Sequence, residues 1–155
     1  MKHLHRAWRA AFAALLFCLP LSACRPSADI GNARTELVVN DETRVVIEVL
    51  AGDPSHSLYD ALSVFRENGQ ISFGGEGSRE DFYLTSLGGL EADSGNFWAV
   101  YTTLGTWEGR PYSNAEWGTW EYDGRTFASA SYGVSGLPLV EGEWYALVWT
   151  AIEGA

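Results

Sequence analysis

The side chains able to do chemistry in this chain are few, and most are spoken for by simpler roles. Nucleophilic catalysis by serine or threonine needs a positioned base, and His56 is the only histidine beyond the first 24 residues. It precedes a helix and reads as a surface residue at the helix entrance. The carboxylate pairs Glu121/Asp123 and Glu141/Glu143 have the i, i+2 spacing that puts both groups on one face of a strand, as glycosidase chemistry could use. A chain with 20 carboxylates produces such pairs by chance. Glu91, Asp93 and Asn96 cluster in one turn, but the ligand order of an EF-hand loop is missing, and Gly74 to Glu80 lacks the lysine of a phosphate-binding loop. No catalytic residue, metal ligand or cofactor is assigned, and the chain is expected not to be an enzyme.

Aromatic side chains give a stronger signal. Thr102 to Trp120 carries Trp107, Tyr112, Trp117 and Trp120 among Gly, Pro, Ser and Asn, with Tyr101 before it and Tyr132 beyond it. Large flat rings on a long loop or irregular hairpin bury area at low entropic cost and stack on planar or sugar ligands. These six residues are the candidate ligand-binding set; the competing reading is that they fold back to close the core.

Cys24 carries the other candidate chemistry. Lys2, Arg6 and Arg9 precede an apolar run from Ala11 to Leu21, which then ends Leu21-Ser22-Ala23-Cys24. A charged start, a short apolar stretch and small residues make an export signal, and the last four residues fit a bacterial lipobox whose cysteine becomes the lipidated N-terminus. Residues 1–23 are therefore read as a lipoprotein signal peptide, and Cys24 as a lipid anchor at a membrane facing outside the cytoplasm, since two acyl chains suffice for stable attachment. Cys18 lies within the signal, so no cysteine is left for a disulfide or a thiol site.

Charge narrows the partners. Removing Lys2, Arg6 and Arg9 leaves seven arginines against 20 carboxylates, which opposes binding to nucleic acid or to anionic lipid. The 131 residues beyond Cys24 suffice for one domain with its own core. Residues 24–35 contain Pro26, small residues and no periodicity, and are read as a tether; residues 36–155 are the domain.

The elements that would position the aromatics follow from periodicity. Glu36 to Val39 and Thr43 to Leu50 are β-branched runs separated by Asn40-Asp41-Glu42, a hairpin. Leu58, Ala61, Leu62 and Phe65 recur at helical spacing, with Ser57 and Asp60 at capping-box positions and Gly69 at the C-terminal stop. Phe82 to Leu87 and Phe97 to Tyr101 are extended runs around Gly88-Gly89 and the Asp93-Ser94-Gly95-Asn96 turn. Asp123-Gly124 centres another hairpin, and Trp144 to Thr150 is apolar enough to be buried on both faces. Hairpin, helix and further strands predict an α+β domain: a β-grasp-like mixed sheet packed on one helix.

Ser57-Leu58-Tyr59-Asp60-Ala61-Leu62, Phe82 to Leu90, Phe97 to Tyr101, Gly133-Val134-Ser135 and Leu139 to Glu143 occur in the order found in the transcobalamin C-terminal-like domain family, which this chain resembles over about residues 36 to 151. Many bacterial members are lipoproteins of unknown function. The resemblance implies a β-grasp fold and a binding module, with a corrinoid or another flat amphiphilic ligand first. A glycan, or a second surface protein that the aromatic loop would dock, is the alternative. The segment between Tyr101 and Trp120 is longer here than in the family.

Overall fold

The computed structural model describes residues 25–152. The expected signal peptide, residues 1–23, and the expected lipid-bearing Cys24 lie outside the described residues. Fourteen strands and one helix follow in order: β1 (Ser27–Ile30), β2 (Ala33–Asn40), β3 (Arg44–Ala51), β4 (Asp53–Ser57), α1 (Leu58–Glu67), β5 (Phe73–Glu76), β6 (Tyr83–Leu87), β7 (Leu90–Glu91), β8 (Asn96–Thr102), β9 (Thr106–Trp107), β10 (Arg110–Pro111), β11 (Ser113–Tyr122), β12 (Arg125–Ala130), β13 (Pro138–Leu139) and β14 (Trp144–Ala151).

Seven strands form the main sheet in the order β1-β2-β3-β14-β8-β12-β11, with small sheets β5-β6-β7, β9-β10 and β4-β13 around it. Every pairing is antiparallel. The expected α+β, β-grasp-like mixed sheet is thereby corrected: the domain is mostly β, with several antiparallel sheets and one ten-residue helix. A parallel pair needs a crossover connection. The helix joins β4 to β5, and neither belongs to the main sheet, so it makes no such crossover.

The residues expected to form a tether also behave differently. Ser27–Ile30 pairs with Ala33–Glu36, and Ala28 and Ile30 are buried. Alternate small and apolar side chains in a short run suffice to put one face against the helix.

α1 is built as its sequence requires. Leu58, Ala61, Leu62 and Phe65 are all fully buried. They pack with Val45, Ile47 and Val49 of β3 and Tyr145 and Leu147 of β14. Asp60 accepts the Ser57 N–H at 2.8 Å across the first turn, and Gly69 takes φ +71° just beyond the C-cap Asn68, the left-handed position that ends a helix without a Cβ penalty. β14 lies in the centre of the sheet, and Trp144, Tyr145, Ala146 and Leu147 are buried, the two-faced burial that its apolar run requires.

The opposite face of the main sheet holds a second, smaller core of Val46, Phe127, Trp144 and Ala146. The β11–β12 hairpin reaches this face. Its tip uses Asp123 at φ +49° and Gly124 at φ +70°, a two-residue turn matched to strand twist, and places Arg125 over the Trp144 ring at 4.2 Å.

Candidate functional site: an aromatic groove along β8

The six candidate rings do not meet on one surface. Trp107, Tyr112 and Tyr132 form one group, with ring centroids 6.4 Å apart for the first pair and 5.5 Å for the second. Tyr112 is 6 % exposed and belongs to the helix-side core. Arg110 lies over Tyr132 at 5.0 Å and donates from Nε to its hydroxyl at 3.1 Å. Tyr101 and Trp120 pack instead on the second core, where Trp120 and Tyr122 stack in nearly parallel planes. For these residues, packing wins over display on an open loop. The segment expected to be a loop is largely strand: β9 and β10 are a tight hairpin turned by Glu108 and Gly109, and β11 follows directly.

Trp117 is the exception, at 66 % exposed. β11 and β12 are in register at Asn114↔Ser129 and again at Thr119↔Ala128, so residues 115–118 bulge out of the ladder with Gly118 at φ +133°. The bulge holds Trp117 away from the sheet. Only three apolar side chains among the described residues that are both large and markedly exposed gather in one place: Trp117, Tyr83 at 69 % and Phe97 at 39 % all line two adjoining hollows beside β8. The remaining exposed ones, Leu50 and Ile152, line neither.

The larger hollow, about 360 Å³, lies between Phe97, Ala99 and Tyr101 of β8 and Trp117, Ser129 and Tyr132. The smaller, about 80 Å³, lies between Trp98 and Val100 and the β6 side, with Phe82, Tyr83 and Leu84. Both include Phe97, Trp98, Val100 and Gly133, so they form one groove astride β8. Three of the candidate residues, Tyr101, Trp117 and Tyr132, come together here; Trp107, Tyr112 and Trp120 do not. The sequence reading missed Phe97 and Tyr83. Tyr83 has the strand parity opposite to Phe82 and Leu84, and that parity is the signal by which its exposure could have been found.

A further hollow, about 480 Å³, lies beside α1 and Arg79 and is lined by His56, Asp60 and Ser63. Here Arg79 clamps Asp60 with Nε at 2.6 Å and Nη2 at 2.8 Å. Burial raises the Asp60 carboxyl, but the bonds from Arg79 and the Ser57 N–H outweigh it and hold the group below the usual carboxylate range. Ser63 Oγ and His56 Nδ1 are buried without a hydrogen-bond partner, Nδ1 standing 3.5 Å from Asp60. A serine–histidine–aspartate relay needs the second imidazole nitrogen to face the hydroxyl. Nε2 instead packs on the β1–β2 turn, where a Cβ on Gly31 would come within 2.5 Å of it. The three residues do not assemble that relay.

In the turn that leads into β8, Asp93 spends its carboxylate on the Gly95 and Asn96 N–H groups at 2.7 and 2.8 Å, which lower its pKa. No group of three or more metal-ligating side chains occurs among the described residues. No helix among them is long and apolar enough to cross a membrane.

The chain matches no protein-family model, no curated protein and no solved structure. None of these comparisons bears on the transcobalamin-like resemblance.

Proposed function

We propose that this chain is a binding module, held outside the cytoplasm by a lipid on Cys24, that engages another surface protein through the groove along β8. The observation that carries this reading is the convergence of Tyr83, Phe97 and Trp117, each exposed, on one groove in an otherwise strongly acidic and polar surface. Exposed aromatics clustered on a rigid sheet are the usual anchors of protein interfaces.

A corrinoid or another flat ligand needs a broad platform. Five of the six rings first considered are divided between two cores, with Trp107, Tyr112 and Trp120 outside the groove lining, and this favours the interaction reading over the small-molecule one. A sugar stacked on Trp117 is the remaining alternative and would need polar partners beside the ring, of which the groove offers Ser129 and Ser131.

The test is the migration of the full chain, solubilised in mild detergent from its own cells, on a native gel. The wild-type protein should run in a complex larger than itself, and the Tyr83→Ala/Trp117→Ala double variant should run alone with an unchanged thermal midpoint. Equal migration of the two, together with calorimetric binding of cobalamin or an oligosaccharide by the wild type, would replace the protein-partner reading with the small-molecule one.

A further inference from the structure

We infer that the groove takes its partner as an added β-strand: an extended segment that alternates aliphatic and aromatic side chains, with lysine or arginine at its ends, laid along Phe97–Val100. The inference rests on the reading of the groove as a protein-binding surface and specifies how the partner is held.

β8 is paired with β14 along its whole length, from Asn96↔Ala151 to Thr102↔Tyr145. Its pairing with β12 covers only Tyr101↔Ser129 and Thr102↔Ala128. After Ser129, β12 leaves β8 and stays with β11: Ala130 pairs with Ser113, and the Ser131 N–H donates to the Tyr112 carbonyl at 2.8 Å. Phe97–Val100 is thus an internal stretch of the main sheet with no strand on one side, and a bare strand edge is a template for pairing.

The phase of that edge can be worked out. Thr103 N–H donates to Trp144 O at 3.0 Å and Ile152 N–H to Gly95 O at 2.8 Å. In an antiparallel pair, hydrogen-bonded positions alternate, so Phe97, Ala99 and Tyr101 exchange their backbone bonds with β14. Trp98 and Val100 turn their N–H and C=O groups to the bare side. Side chains alternate as well, and a strand added there would send successive side chains into opposite hollows, one of about 80 Å³ and one of about 360 Å³. The first suits an aliphatic group, and the second has room for a ring beside Trp117.

Charge selects the occupant. No charged side chain lines either hollow, and the exposed acids Asp81, Asp93 and Glu116 lie next to or within a few residues of the lining residues Phe82, Phe97 and Trp117, at the groove's ends and rim. The two arginines beside these residues are already engaged, Arg110 on the Tyr132 ring and Arg79 on the Asp60 carboxylate. A second copy would bring the same excess of carboxylates against seven arginines, so a basic-ended strand from another protein fits better than self-pairing.

The test is amide hydrogen exchange on the full chain in detergent with a synthetic probe, Lys-Lys-Val-Tyr-Val-Tyr-Val-Lys-Lys, at millimolar concentration. Exchange at Trp98 and Val100 should slow about tenfold, with no such slowing in the Tyr83→Ala/Trp117→Ala variant. The same peptide N-methylated at alternate residues, and one ended by glutamates, should leave both amides unprotected. Strand addition is overturned if Trp98 and Val100 are unprotected by the probe, or if the N-methylated peptide protects them equally. Protection that appears without peptide and grows with protein concentration would overturn it in favour of a second copy. If native-gel migration still depends on Tyr83 and Trp117 while the probe leaves Trp98 and Val100 unprotected, strand addition fails and the binding reading stands.

Discussion

Arg79 donates to both carboxylate oxygens of Asp60, and the same carboxylate accepts the Ser57 N–H that opens α1. One side chain thus fixes the start of the only α-helix among the described residues and ties it to the loop before β6. Replacing Asp60 with alanine leaves a helix N–H and a guanidinium without their acceptor and should cost about 1–2 kcal/mol in a urea unfolding experiment.

The same contact predicts a direction with pH. Asp60 titrates below its unfolded value in the folded chain, so its contribution is fully present above the unfolded value of about 4 and is lost as pH falls through the folded value. Thermal midpoints of the wild type should fall more steeply below about pH 4 than those of Asp60→Asn, which has no charge to lose. Parallel slopes would mean that Asp60 is not held ionised by Arg79.

Tyr145 gives the opposite sign. Its hydroxyl donates to the Pro138 carbonyl inside the core, and burial raises its pKa well above the ordinary tyrosine range. The unfolded chain therefore loses this proton first, and the associated stability declines as pH rises past about 10. Absorbance titration at 295 nm up to about pH 11 should be the same for the folded wild type and folded Tyr145→Phe, because Tyr145 forms no phenolate in that range. Tyr145→Phe should cost about 1–2 kcal/mol, because the buried Pro138 carbonyl is left without its donor.

Core substitutions test the arrangement of layers. Phe65→Ala removes a fully buried ring between α1 and the main sheet and should cost about 3–5 kcal/mol. Gly75→Ala should also destabilise strongly, because its Cβ would stand 2.0 Å from the Tyr83 carbonyl on the paired strand, which only a backbone shift can relieve. Urea midpoints read both.

Much of the local structure was legible before the fold. The stripe Leu58, Ala61, Leu62, Phe65 and the stop at Gly69 named the helix, Asp123-Gly124 named a hairpin, and the unbroken apolar run at Trp144 named the central strand. Each of these signals is carried by residues close together in sequence. Strand order is not: β14 lies between β3 and β8, partners far away along the chain, and nothing local records that. Ala28 and Ile30 alternate over too short a run to be told from a linker. The aromatic segment misled for a different reason. Tyr112 and Trp117 are equally large and five residues apart, but one ends in the core and the other on a bulge, and only the shift in register between Asn114 and Thr119 separates them. The groove itself exists because β12 parts from β8 at Ser129, a tertiary event with no motif of its own.

Trp117→Ala should separate binding from folding. The side chain is exposed on a bulge, so its removal should change stability by no more than about 0.5 kcal/mol while the native complex is lost. A large drop in the thermal midpoint would instead make Trp117 a structural residue.

The most direct measurement is photo-crosslinking in living cells, with a benzophenone amino acid placed at Trp117 in one strain and at Leu50, an exposed site outside the groove, in another. A discrete protein adduct should form from position 117 and map to an extended, basic-ended segment, and none should form from position 50. Adducts of equal yield from both positions, or none from 117 in cells where the native complex is present, would contradict binding through the groove.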